Sequence, residues 1–376
     1  MDPFKNIRPY VDSEVDDVLE SLISNNEVIK ALMALQYPGL ISKLPFIKSI
    51  VKQKLIAKAK TIHTIDDYQK IFKNLMEKVI NESISDFTVN GVGNLNKNES
   101  YLFISNHRDI SLDAALLALH LYKSGYKTFN IAVGNNLMEK TWVSDLFRLN
   151  KSFIIQRSGK SKKEIYSYLS LASQFIYKSI FHDSNSVWIA QKQGRAKDGI
   201  DETDPALLKM IHMNKRKSQP ISNYFNSLRI VPVSISYEFD PNDKLKAKEI
   251  FSSQSNNKYI KEQDEDLKSI ANGITGFKGD VVINIGNPLN FVDNDYSKIA
   301  KKITDSIVSM YELHKTNYAA YQLLGYNDKT QKEYSSDEIE LAKKYLEESL
   351  SQLENGAHSI LLEQYANPVI RKLNLI

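Results

Sequence analysis

The chain of 376 residues contains no cysteine. That absence excludes disulfides, thiolate metal sites, a thiol nucleophile and any acyl-cysteine intermediate. Long apolar runs are missing too: the longest candidate, Leu112 to Tyr122, falls well short of the roughly 18 to 20 apolar residues that cross a bilayer. The start, Met1 to Lys5 followed by an acidic stretch from Asp12 to Asp17, carries no apolar signal core. The expected location is therefore cytoplasmic, peripheral on the inner face of the cell membrane. No His-Glu-x-x-His, Cys/His cluster, phosphate loop or dinucleotide fingerprint occurs, so neither metal nor cofactor is expected. A Gly-x-Ser-x-Gly elbow is also lacking, which removes the usual serine-hydrolase route. A large excess of charge of one sign is missing: the net charge is +4 with a pI near 8.7, too little for a dedicated nucleic-acid binder. It suits an anionic lipid surface or an acidic carrier protein equally.

What is present is ordinary globular composition, 42% hydrophobic and 25% charged, in a chain longer than one average domain. Residues 1–80 read as a helical region. Glu14 to Leu22 and Asn26 to Leu35 carry apolar positions at helical spacing, with Gly39 the single glycine of the segment. From Phe46 to Lys60 the pattern turns cationic: Lys48, Lys52, Lys54, Lys58 and Lys60 stand among Phe46, Ile47, Ile50, Val51, Leu55 and Ile56. This is the pattern of an interfacial helix or of a surface helix in a bundle.

Residues 81–293 change character. Short β-rich runs at Tyr101 to Ser105, Phe129 to Val133, Phe153 to Gln156, Val187 to Ala190, Ile230 to Tyr237 and Val281 to Ile285 alternate with helical segments such as Leu112 to Lys123 and Lys162 to Ile180. Alternation of this kind predicts an α/β fold, with a mixed, largely parallel sheet flanked by helices. The runs lack strict period-two polarity, as strands covered on both faces do. Asp240 to Thr275 is polar and reads as an insertion or long loop. Residues 294–376 return to helix, with a start at Ser336, Asp337 and Glu338.

One stretch concentrates chemistry. A strand ends at Ser105, Asn106, His107, Arg108 and Asp109 form a polar turn, and an apolar helix begins near Leu112. A strand-to-helix turn lets rigid elements hold reactive groups in the open. Imidazole titrates near neutrality, so His107 can remove a hydroxyl proton at working pH. Either Asp113 or Asp109 is placed to fix its tautomer; both also suit the start of a helix, where the dipole favours negative charge.

The run Asn106-His107-Arg108 followed by Asp resembles the first motif of the glycerolipid acyltransferase family, which includes bacterial glycerol-3-phosphate and 1-acylglycerol-3-phosphate acyltransferases. The family spaces His and Asp by four residues; here five separate His107 from Asp113, and Asp109 lies nearer. Asp113-Ala114-Ala115-Leu116 looks like the family's Asp and following helix. Phe153 to Ser158, with Arg157, resembles the second motif, where an Arg meets the acceptor's phosphate. Gln193-Gly194-Arg195, with Lys197 just after, resembles the third; Gln193 stands where the family has Glu. Ile230-Val231-Pro232 resembles the fourth, a strand with Pro near the acyl groove.

The likeness runs from Phe87 to Tyr237. It implies transfer of a fatty acyl group from acyl-CoA or an acyl carrier protein to a lysophospholipid hydroxyl, with His107, Asp113 or Asp109 catalytic. Substrate binding would fall to Arg108, Arg157, Gln193, Gly194, Arg195, Lys197 and Pro232. Arg suits such a role because its fork matches phosphate, which Lys cannot imitate.

Overall fold

The computed structural model describes residues 2–36, 45–256, 259, 264–326 and 334–375. Gly39, and the side chains of Leu35, Phe46 and Ile47, lie outside the described residues. Among the described residues, seven strands form one sheet: β1 (Asp86–Asn90), β2 (Leu102–Ser105), β3 (Asn130–Gly134), β4 (Ser152–Ile155), β5 (Val187–Ala190), β6 (Ile230–Tyr237) and β7 (Asp280–Ile285). Their order is β1-β7-β6-β2-β5-β3-β4. β2 to β6 run parallel, and β7 pairs antiparallel with β6 and parallel with β1. The sheet is thus mixed and largely parallel, as the alternation predicts.

Because β2, β4 and β6 are buried along their whole length, successive residues feed opposite layers. Leu102 and Ile104 join the core on one face, while Tyr101 and Phe103 join the core on the other. Four helices, α1 (Val15–Ser24), α2 (Asn26–Gln36), α3 (Pro45–Ala59) and α4 (Ile65–Ser83), precede the sheet. Thr64 caps α4 by accepting from Asp67 N at 3.1 Å. On α3, Lys48, Lys52, Lys54 and Lys58 are exposed, with Lys60 just after it, as are Ile50 and Ile56, while Val51 packs against Ile29 and Met33.

Between strands lie α5 (Leu112–Lys123), α6 (Thr141–Leu149), α7 (Lys162–Phe181), α8 (Pro205–His212) and α9 (Ile221–Ser227). α5 covers one face with α4, whereas α7, α8 and α9 cover the other. The polar stretch expected as a loop is instead two helices, α10 (Asp243–Asn256) and α11 (Glu265–Thr275). Tertiary polar contacts hold them, and composition does not display such contacts. α12 (Tyr296–Met310) follows and lays Ile299, Ile303 and Ile307 on the α7 face. α13 (Lys315–Leu323), α14 (Ser336–Leu350) and α15 (His358–Leu373) build a separate apolar cluster with Ala247 of α10. The cap of α14 is Ser335, one residue before the expected start, in a reciprocal box with Glu338. No helix among the described residues is long and apolar enough to cross a membrane.

Candidate active site

Parallel strands bring all their C-terminal loops to one edge. The helix after β2 lies on one face and those after β5 on the other, which makes this edge a topological switch point, where ligands bind in open α/β sheets. His107 follows β2, Gln193 to Arg195 follow the neighbouring β5, and Arg157 follows β4.

Asp113 stands in the first turn of α5, and helical side chains lean toward the N-terminus. It therefore reaches back into the turn. Its Oδ2 accepts from His107 Nδ1 at 2.8 Å, from Arg108 N at 2.7 Å and from Asp109 N at 3.1 Å. Its Oδ1 accepts from the Tyr237 hydroxyl at 2.9 Å. Four donors satisfy a carboxylate that is 1% exposed. Burial and the adjacent Asp113 charge push the Tyr237 phenol well above its usual range, keeping it a donor. With Nδ1–H given to Asp113, Nε2 of His107 carries the lone pair. Nε2 has no hydrogen-bond partner among the described residues. The ring edge meets Trp188 at 5.8 Å between centroids, and the side chain keeps 15% exposure.

Asp109 does something else. Its Oδ1 accepts from Ser111 N at 3.0 Å and Leu112 N at 2.9 Å, closing the free amides at the start of α5. Burial, and then the Asp113 charge, raise its pKa.

Arg108, expected on the substrate, is turned inward. It is 7% exposed, ion-paired to the buried Asp201, and lies over the Tyr311 ring at 5.3 Å. A buried guanidinium committed to a buried carboxylate is structural, because parting the two strands a charge. Pro232 sits mid-strand in β6 opposite Ile104, buried, its carbonyl accepting from Gly286 N at 2.9 Å. Lys197 is paired with Glu249 of α10. Lys151 precedes β4 and so lies at the opposite edge, its ammonium donating to Thr128 O at 2.6 Å while burial lowers its pKa to about 8.

Two arginines follow strands at this edge. Arg195 follows Gly194, whose φ of +76° is left-handed and favours glycine. Arg195 Nη1 donates to Ser269 Oγ at 2.7 Å, and its other nitrogens have no partner among the described residues. Ala196 N donates to the His107 carbonyl at 2.9 Å, tying the two loops together. Gln193 is exposed on the same turn. Arg157 is half-buried without an acidic partner among the described residues, and burial lowers its pKa. Three strand spacings separate β4 from β2, about 14 Å. The guanidinium leans inward over the end of β3, with Nη1 3.8 Å from where a Gly134 Cβ would stand.

Sequence reasoning missed Tyr237, Asp201, Lys246 and Ser269. Tyr237 carried one signal, a hydroxyl at the last position of an apolar strand; the others carried none. Lys246 is 1% exposed, pairs with Asp240 and donates to the Arg108 carbonyl at 2.7 Å, supporting the turn from behind. No group of three or more His, Cys, Asp or Glu suited to a metal occurs among the described residues.

The family model described as Acyltransferase matches residues 86–198. No curated protein matches the sequence. Among solved structures, the 1-acyl-sn-glycerophosphate (LPA) acyltransferase PlsC from Thermotoga maritima is similar at 13% identity and a TM-score of 0.37, over 77% of this chain and 92% of that one.

Proposed function

We propose that this chain, an acyltransferase-family protein over residues 86–198, moves a fatty acyl group from an acyl thioester to the hydroxyl of a lysophospholipid-type acceptor, 1-acyl-sn-glycerol-3-phosphate, giving phosphatidic acid. The observation that carries this reading is the His107–Asp113 pair at 2.8 Å, whose Nε2 meets no hydrogen-bond partner among the described residues, on the same sheet edge as Arg195 and Arg157, which have no acidic partner among the described residues.

In the proposed reaction the acceptor hydroxyl lies against Nε2. As its oxygen attacks the thioester carbonyl, the proton passes to Nε2 and the imidazolium is stabilised by Asp113, which stays ionised. The tetrahedral oxyanion needs donors; in this reading the amides of Gln193, Gly194 and Arg195, which meet no acceptor among the described residues, supply them. The intermediate then collapses, the C–S bond breaks, and the sulfur leaves with the proton from Nε2. Each atom is accounted for without a covalent enzyme intermediate. Arg195, one strand from His107, and Arg157 farther along the edge hold the phosphate by charge-assisted forks. The donor is acyl-CoA or an acyl carrier protein, and the exposed lysines of α3 place the enzyme on an anionic membrane surface.

The test is His107→Ala with a labelled acyl thioester and a panel of lysolipids and glycerol-3-phosphate. Phosphatidic acid from the wild type and none from a folded variant is the expected result. Full activity in the variant refutes the general base. Free fatty acid as main product at saturating acceptor would make the protein a thioester hydrolase instead.

A further inference from the structure

α11 lies outside the segment that matches the acyltransferase family, yet it touches the proposed site along its length. Just before its start, Asp264 bridges Lys140 at 2.8 Å, in the loop that follows β3. Five residues on, Ser269 Oγ accepts from Arg195 Nη1 at 2.7 Å, after β5. Four residues further, Gly273 meets the turn after β2: a Cβ there would stand 2.1 Å from Asp109 Oδ2. These contacts follow the strand order β3, β5, β2. The scale agrees. Nine residues of helix rise about 13.5 Å, and two strand spacings measure about 10 Å, so one helix crossing three strand ends at a slant makes these contacts. Ser269 and Gly273, four apart, share the buried face of α11. Ile274 packs into the core on the α5 side, and Asn242 Nδ2 fixes the Ser269 carbonyl at 3.1 Å. Lys140 also meets Glu27 of α2 at 3.1 Å, so the near end is held from two sides.

We infer that α11 roofs the headgroup pocket and that Ser269 is a positioning residue that aims the Arg195 guanidinium at the acceptor's phosphate. The inference rests on reading this edge as the acceptor site. Ser269 is 2% exposed and occupies a single nitrogen of Arg195. Nε and Nη2 stay open for the bidentate grip that phosphate prefers. Asp109 and Asp240 exert their charges on the same guanidinium without touching it. Without the hydroxyl, Arg195 keeps no hydrogen-bond partner among the described residues and swings toward those carboxylates.

The experiment compares wild type with Ser269→Ala. A short-chain 1-acylglycerol-3-phosphate and the same lipid without phosphate serve as probes, in calorimetric binding and in transfer kinetics. The variant is expected to raise Kd and KM for the phosphate-bearing lipid about tenfold, the effect of one hydrogen bond to a charged group. The kcat, the KM for the thioester and binding of the phosphate-free lipid hold. In an Arg195→Ala background, Ser269→Ala adds nothing, as expected of two residues acting as one. An unchanged Kd overturns the inference, and so does equal loss with both lipids, additivity in the double variant, or a wild type that binds no phosphate-bearing lipid. A wild type that binds with this dependence on Ser269 but transfers no acyl group refutes the proposed reaction and leaves the pocket standing.

Discussion

Replacing Asp113 with Asn separates the geometry of the site from its charge. Three N–H groups converge on Asp113 Oδ2, from His107 at 2.8 Å, Arg108 at 2.7 Å and Asp109 at 3.1 Å. An asparagine must keep its carbonyl oxygen there, since its NH2 would meet three donors. The NH2 then falls at the Oδ1 position and donates to the Tyr237 oxygen, 2.9 Å away in the wild type. The ring keeps its tautomer, and Nε2 keeps its lone pair. What disappears is the negative charge beside the imidazolium. Two unit charges 4 Å apart at an effective dielectric near 20 attract by about 4 kcal/mol, which is about a thousandfold in rate. Asp113→Asn should therefore lower kcat about a thousandfold with both KM values within about threefold. Asp109→Asn is the control. It touches no atom of His107, asparagine caps a helix as well as aspartate, and the carboxyl is already disfavoured in its charged form by burial. Its kcat should stay within about threefold of wild type and its Tm should not fall. Initial rates of labelled acyl transfer and thermal unfolding of both variants decide the matter. If Asp113→Asn stays within about tenfold of wild type, or Asp109→Asn does more damage, the assignment of Asp113 is wrong.

Arg157→Ala should raise KM for a phosphate-bearing acceptor at least about tenfold, by loss of a charge-assisted fork, without lowering Tm, since no ion pair among the described residues is broken; an unchanged KM removes Arg157 from the site. Asp243, buried beside Asp240 and accepting from the Tyr365 hydroxyl at 2.9 Å, has its pKa raised by burial to about 6. A raised folded pKa gives stability that is present below about pH 4 and lost as pH climbs through about 6, up to about 3 kcal/mol in all. The fall in unfolding free energy between those values should flatten in Asp243→Asn; equal slopes for both proteins would contradict the burial argument. Reversing Lys52, Lys54 and Lys58 of α3 to Glu should reduce partitioning to anionic vesicles more than about a hundredfold, at about 1 kcal/mol per lysine near the surface. Partitioning that does not change counts against α3 as the membrane-facing element.

The central strands were legible because burial on both faces makes them continuous apolar runs. Val187 to Ala190 and Ile230 to Tyr237 occupy the same residues in the sequence reading and the structure. β1 escaped notice as an edge strand with only Phe87 and Val89 apolar, half-buried among Asp86, Thr88 and Asn90. The turn at His107 was legible as a place, since an apolar strand and an apolar helix bracket it. The choice between two carboxylates was legible only through the resemblance, which favours Asp113, and not from spacing. Asp109 precedes the helix and turns its oxygen to the amides of Ser111 and Leu112, whereas Asp113, inside the helix, points back along it to the ring. Sequence separation ranks Asp109 nearer; the tilt of helical side chains ranks Asp113 nearer.

The buried charges were illegible for a different reason. Arg108 and Asp201 are 93 residues apart, and Lys246 meets the Arg108 carbonyl across 138. In a sequence each looks like a solvated charge, because nothing local records the partner that makes burial tolerable. The same limit hid the insertion. Residues 240–275 are polar, and polarity without apolar periodicity reads as loop. Yet Lys246 and Ser269 are spent inward, on a backbone carbonyl behind His107 and on a guanidinium in front of it. A helix packed over a polar site needs polar residues on its buried face, so the feature that made this stretch look like a loop follows from where it lies. Since α10 and α11 touch both loops of the site while standing outside the matched segment, changes there should alter what the site accepts more readily than how it reacts. The Ser269→Ala and Asp113→Asn variants divide along that line: the first moves affinity, the second moves rate.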